Sequence, residues 1–175
     1  MPGAAESLGM KPLQDLYPDD FAHCYGCGRL NADGLHVKSE WHGDEAVARF
    51  HPARQHIALP GFVYGGLIAS LIDCHAMATA AAASMEKAGA TPGVDPTPRF
   101  VTASLQVDYL RPTPLGPELE LHGRATEVGE RKVLVELVLR AGDVDCARGR
   151  VVAVRMPAGM AQPANGRARD ARSMD

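Results

Sequence analysis

Apolar and polar residues alternate with a period of two along several short stretches of this chain, and one long stretch breaks that rhythm. Leu35, Val37, Ser39 and Trp41 alternate with polar neighbours, as do Ala46, Ala48 and Phe50. Between these two runs, His42-Gly43-Asp44 reads as a tight turn, which predicts a hairpin. Pro52 and Pro60 make His51 to Gly61 a loop without regular pairing. From Gly66 onward apolar residues occupy nearly every helical face up to Met85, and alanine dominates. That composition predicts a helix enclosed by the rest of the chain rather than lying on its surface. Gly89 suits its stop. Thr91 to Pro98 carries three prolines and is irregular.

Four more strand patterns follow. Val101, Ala103, Leu105, Val107 and Tyr109 alternate cleanly, then Leu119, Leu121 and Gly123, then Val133, Val135, Leu137 and Leu139, and last Val144 to Met156. Turns at Gly129-Glu130-Arg131 and Ala141-Gly142-Asp143 predict an antiparallel meander. Two strands, one long helix and four strands define an α+β domain. In it a curved antiparallel sheet of about six strands wraps around the helix. An open sheet leaves edges, and pairing with a second copy would cover them. This domain spans 21–156. Residues 1–20 form a polar lead-in with a short helix from Leu13 to Tyr17, and 157–175 read as a disordered tail.

Composition narrows the function. Aromatic residues are 5% of the chain and the net charge is −3, which argues against a nucleic-acid surface. The Gly66–Ala83 run has the length of a membrane span, but Asp73 and His75 near its middle favour a buried helix. The first twenty residues hold no apolar core of signal-peptide length. The expected protein is soluble and cytoplasmic, without nucleic-acid or membrane partners. Its four cysteines, Cys24, Cys27, Cys74 and Cys146, are expected as reduced thiols.

Candidate chemistry concentrates at the start of the helix. Asp73 is a carboxylate inside an apolar run, so it needs a partner or a reaction to serve. Ser70, one turn earlier, is a hydrogen-bond partner for it, or packs. Gly65 and Gly66 either allow close packing or leave backbone N–H groups open to a ligand carbonyl. Gly66 and Asp73 lie ~10 Å apart along the axis, too far to meet one carbonyl within a subunit. His75 is either a satisfied core histidine or a pocket residue. Adjacent positions on a helix point apart, so Cys74 and His75 form no catalytic dyad. Cys24 and Cys27, with His23 and His36 nearby, supply half a zinc site at most, because no second CxxC exists; no metal is expected. Arg99, Arg111, Arg131 and Lys132 are solvated charges or phosphate contacts.

The element order and three motifs together resemble the hotdog-fold acyl-CoA thioesterases, in particular the phenylacetate-pathway type. The motifs are Cys24-Tyr25-Gly26-Cys27-Gly28 with Asn31 and Gly34-Leu35, then Pro60 to Gly66 followed by Asp73, then Leu110 to Gly116. The resemblance covers His23 to Met156. It implies hydrolysis of an acyl-CoA thioester without a cofactor, coenzyme A being part of the substrate. It implies an oxyanion donor on the glycine pair, Gly65 first, and Asp73 as base or nucleophile. It also implies a site built across a homodimer, or a dimer of dimers, with the glycines from one chain and the carboxylate from the other. Ser70, His75, Arg99 and Arg111 become substrate-binding candidates. Two positions depart from the family pattern. Tyr64 stands where histidine is usual, which makes it either a hydroxyl donor to the carbonyl or a packing aromatic at the helix entrance. Ile57-Ala58-Leu59 is apolar where the family often carries an amide. These departures keep open a second reading, a non-catalytic acyl-CoA-binding protein. A hydratase would need a His–Asp pair facing the acyl carbons, and the sequence offers no convincing one.

Overall fold

The alanine-rich stretch folds as one helix, α1, Gly65–Lys87, in a computed structural model that describes residues 10–160. Its side chains are buried almost continuously from Leu67 to Met85. α1 is long and apolar enough to cross a membrane, yet most of its apolar window is enclosed by the protein.

The enclosure is a six-stranded antiparallel sheet: β1 Ser39–Trp41, β2 Ala46–Phe50, β5 Phe100–Tyr109, β6 Leu119–Val128, β7 Lys132–Ala141 and β8 Val144–Arg155, in the order β1-β2-β6-β7-β8-β5. The period-two pattern works as predicted in β6, β7 and β8, whereas β5, with Ala103, Leu105 and Tyr109 exposed, shows no buried alternation. Leu119, Leu121, Val133, Val135, Leu137 and Leu139 turn inward and are fully buried, or nearly so. Helix and sheet approach so closely that two inward positions must be glycine. A Cβ on Gly149 would lie 2.4 Å from Ile72 Cγ2, and one on Gly123 would lie 2.6 Å from Thr79 Oγ1.

Three details differ from the sequence expectation. The meander is β6–β7–β8 only, and β5 joins the far side of β8. Pro112, Pro114 and Gly116 (φ 126°) break the chain between β5 and β6, so these strands are not hairpin partners. The first strand is short: the Leu35 and Val37 amides donate to Tyr25 and Gly26 carbonyls in the CxxC loop instead of to a neighbouring strand. The 51–61 loop contains a 3-10 turn, Arg54–His56, and a small hairpin of β3, Ile57–Leu59, with β4, Phe62–Val63. Pro60 does not prevent this pairing because it sits in the turn itself, followed by Gly61 at φ 86°. The short helix expected in the lead-in is present as a 3-10 helix, Leu13–Leu16, and packs on the domain, with Leu13, Gln14 and Tyr17 buried. A short 3-10 turn, Ala158–Met160, follows β8. The rest of the expected tail lies outside the described residues.

Candidate active site

The β3–β4 hairpin delivers the chain to the start of α1 and is fastened on both sides. The Val63 amide donates to the Thr113 carbonyl (2.9 Å), and the Tyr64 amide donates to the His56 carbonyl (2.8 Å). Tyr64 is the N-cap residue, and its carbonyl accepts the first helical bond, from Leu67. The N–H groups of Gly65 and Gly66 come too early for an intrahelical acceptor. They meet no other backbone acceptor among the described residues. Their dipoles add to that of the helix, so this end favours an oxygen carrying negative charge.

Two phenols flank the pair. The Tyr64 ring lies so near Gly66 that a Cβ there would come within 2.3 Å of it. Tyr109, at the end of β5, donates its O–H to the Gly65 carbonyl at 2.8 Å. Both tyrosines are exposed. Beside them is a cavity of about 710 Å³ lined by Tyr25, Gln55, His56, Tyr64, Gly66 and Ser70, among others. Gln55 brings an amide to this cavity, which the apolar 57–59 triplet does not. It comes two residues earlier, on the 3-10 turn, and only the folding of that turn brings it to the cavity. On the other side of Gly65 is an apolar groove lined by Leu59, Phe62, Ile68, Tyr109, Arg111 and Pro112.

Asp73 is not among the residues lining either of these spaces. It is half-buried two turns further along α1, facing β5, where Thr102 donates its hydroxyl to Asp73 Oδ1. Burial raises the carboxyl pKa above its ordinary value, and the Thr102 hydrogen bond partly offsets this. Ser70 does not bond Asp73: its hydroxyl donates to the Gly66 carbonyl (2.9 Å).

The other predicted residues separate. His75 is fully buried. Its Nε2 donates to the Ala46 carbonyl (3.1 Å), which leaves Nδ1 to accept from the Ser39 hydroxyl (2.8 Å). Ser39 is held in turn by both ends of the Gln14 amide. Burial pushes the imidazole down to about 4, so it is neutral. Within this subunit it is a core hydrogen-bonding group and does not reach a pocket. Arg99 stacks on the Tyr17 ring, 4.3 Å from its centroid, away from the glycine pair. Arg111 is beside the pair, exposed, with one guanidinium nitrogen near the Asp145 carbonyl (3.5 Å). Arg131 and Lys132 are exposed at the β6–β7 turn. That turn belongs to the other end of α1, where Lys87 reaches the Val128 carbonyl. The 91–98 loop packs on the lead-in, through Lys11 N to Gly93 O and Thr97 N to Leu16 O. Cys24, Cys27 and Cys74 bring their sulfurs together, and this group is the one set of described side chains with metal-ligand spacing.

A family model described as the thioesterase superfamily matches residues 60–148, which include the glycine pair, Asp73 and most of the sheet. An acyl-coenzyme A thioesterase, THEM4, of Xenopus laevis is 33% identical over 97 residues, covering 55% of this chain; the chain spans 38% of that relative's length. A thioesterase superfamily protein from Shewanella loihica is 50% identical, with a TM-score of 0.61 over 79% of this chain and 98% of the other. The PaaI protein of the E. coli phenylacetic acid degradation operon is 16% identical and shares the fold, with a TM-score of 0.58 over 70% of this chain and 81% of its own.

Proposed function

This chain belongs to the thioesterase superfamily, and from that membership we propose that it hydrolyses an acyl-CoA thioester in a site shared by two copies of the chain. The observation that carries the reading is the start of α1. Two unpartnered glycine N–H groups, free of side chains, stand at the helix start, Gly66 on the cavity and Gly65 on the adjoining groove. They would bind the carbonyl oxygen of the thioester and gain strength as it becomes an oxyanion. Gln55 and Tyr64 line the same cavity and offer further donors to that carbonyl.

Asp73 is the base or nucleophile of this reading. As a base it takes a proton from water while the water oxygen bonds to the carbonyl carbon. The tetrahedral intermediate then expels CoA as thiolate, and the proton leaves Asp73 for that sulfur. As a nucleophile its carboxylate oxygen bonds to the carbonyl carbon, the C–S bond breaks to release CoA thiolate, and water opens the resulting mixed anhydride to the free acid and Asp73, its proton passing to the thiolate. Either route needs Asp73 and a glycine pair at one carbonyl, and the ~10 Å along α1 prevents this within one helix. β5 offers the solution. It ends the sheet, pairs only with β8, and is exposed over most of its ten residues. Asp73 bonds Thr102 on that same strand. Pairing two β5 edges would bring the Asp73 of one copy toward the glycines of the other and cover an edge that otherwise invites aggregation.

The test is hydrolysis of short, aryl and long acyl-CoAs by the parent and by Asp73→Asn, with oligomeric state measured by light scattering. Turnover that Asp73→Asn loses while the dimer persists supports the reading. Equal turnover in the variant removes Asp73 from the mechanism. Tight acyl-CoA binding without turnover across the panel would make this a binding protein.

A further inference from the structure

We propose that Cys24, Cys27 and Cys74 form a binding site for a thiophilic d10 cation, with Zn²⁺ as its probe, built between the CxxC loop and the central helix. In sequence Cys24 and Cys27 are half a site. The fold supplies a third thiol, forty-seven residues on, by packing the loop against α1. The three sulfur atoms all lie within 4.8 Å of one another, and Cys24 Sγ and Cys74 Sγ are 3.7 Å apart. A tetrahedral ion with Zn–S bonds of about 2.3 Å holds its sulfurs roughly 3.8 Å apart. The thiols therefore stand close to ligand separation already.

The loop is shaped for this approach. A Cβ on Gly26 would lie 2.1 Å from Cys74 Sγ, so only glycine between the two cysteines lets the third reach them. Gly28 is equally constrained: a Cβ there would lie 2.4 Å from Cys24 N and 2.6 Å from the Ala22 carbonyl. The Gly28 amide closes the turn on the Cys24 carbonyl at 2.7 Å, and Leu35 and Val37 pin its outer side. Two buried thiols and one half-buried thiol leave a way in from the Cys24 side.

A second, independent observation is a positive charge without an anion. The Arg99 guanidinium lies beside Cys27 and over the Tyr17 ring. It makes no ion pair with a carboxylate among the described residues, and its Nη1 is buried with no hydrogen-bond partner. Tyr17 Oη, in the same cluster of side chains, is also buried and unpartnered. The guanidinium as a whole is half-buried, but this one N–H corner is sealed from water, and an anion beside it would meet a donor that no protein acceptor satisfies. Three thiolates around a divalent ion carry one net negative charge, which Arg99 neutralises, and a water on the Cys24 side completes four-coordination. Binding releases the thiol protons, so affinity rises with pH. The site does not depend on the proposed hydrolysis, and its test reads metal rather than turnover.

The full chain, reduced and stripped with a chelator, is titrated with Zn²⁺ against a chromophoric competitor, and with Co²⁺ in parallel. The expected result is one ion per chain, with thiolate-to-cobalt charge-transfer absorption. Affinity falls on the order of 100-fold in Cys24→Ala, Cys27→Ala or Cys74→Ala, and is unchanged in Cys146→Ala. Should a variant fail to fold by circular dichroism, zinc-edge X-ray absorption of the loaded parent decides, with three sulfur neighbours at about 2.3 Å expected. No uptake by the reduced parent, uptake that survives Cys74→Ala, or an ion with only nitrogen and oxygen neighbours would each overturn the proposal.

Discussion

Tyr109, the last residue of β5, holds the carbonyl of Gly65, the first residue of α1, by a hydrogen bond of 2.8 Å. The bond joins the free edge strand to the peptide unit between the two glycines, and so sets the direction of the Gly66 N–H. Tyr109→Phe keeps the ring and removes the donor. One neutral hydrogen bond is worth about 1 kcal/mol, so kcat should fall by up to about fivefold and the melting temperature by no more than about 2–4 °C. Steady-state kinetics and a thermal melt check this. Unchanged kcat would show that the carbonyl is held well enough without the phenol.

Asp73→Asn preserves size and the Thr102 contact but removes the base. Losses on the order of 10²–10⁴-fold in kcat are expected for a proton-transfer group. Gel filtration and circular dichroism should match the parent. Single-turnover hydrolysis in isotopically labelled water then separates the two roles, because a covalent intermediate at Asp73 can leave solvent oxygen in the carboxylate.

Gly66→Ala separates activity from stability. Its Cβ would meet the Tyr64 ring, which is exposed and able to swing away. Alanine gains up to about 1 kcal/mol of helix propensity over glycine. The melting temperature should hold or rise slightly, while hydrolysis falls at least roughly tenfold because a methyl group and a displaced phenol obstruct the carbonyl. Equal activity would show that no substrate atom approaches this position.

Gly149→Ala should do the reverse. Its Cβ would collide with the buried Ile72, which has no room to retreat. Overpacking of this kind costs about 1–3 kcal/mol, a drop of several degrees in melting temperature. An unchanged melt would mean that β8 and α1 can separate more easily than their contact suggests.

His75 predicts an acid limb in stability. Its pKa is about 4 in the folded protein and 6.5 when free. Between those values the unfolded chain takes up a proton that the folded chain refuses. The stabilising effect of the neutral ring is therefore complete above about pH 6.5 and is lost as pH falls toward about 4. Over that window His75 alone lowers the unfolding free energy by about 3 kcal/mol. Urea titrations of the parent and of His75→Gln measure it. The variant should show a shallower decline, and identical slopes would assign the effect to other groups.

Periodicity along the chain determined most of the fold. Alternation marked the strands and the alanine-rich run marked the helix, because one apolar side must turn inward whatever the partner is. The short hairpin at Ile57–Val63 escaped it: two- and three-residue strands are too brief to show a period. So did the pairing of β5 with β8, which depends on where a proline-broken link can reach. At the site, the charge buried in an apolar run made Asp73 conspicuous, and adjacent glycines marked the helix start. Gln55, Tyr109 and Thr102 carried no such signal, since an amide or hydroxyl on a polar stretch is ordinary until the fold gives it a neighbour. For His75 the sequence favoured a satisfied core histidine over a pocket residue, and Ser39 and Ala46 at its two nitrogens supply the partners that the sequence could not name. Cys74 is the sharpest case. Local sequence shows a thiol in a helix and a CxxC loop far upstream, and only the packing of Gly26 against that helix brings three sulfurs to one point. Contacts between distant segments depend on how layers close on each other, and that is decided by three-dimensional packing rather than by any local pattern.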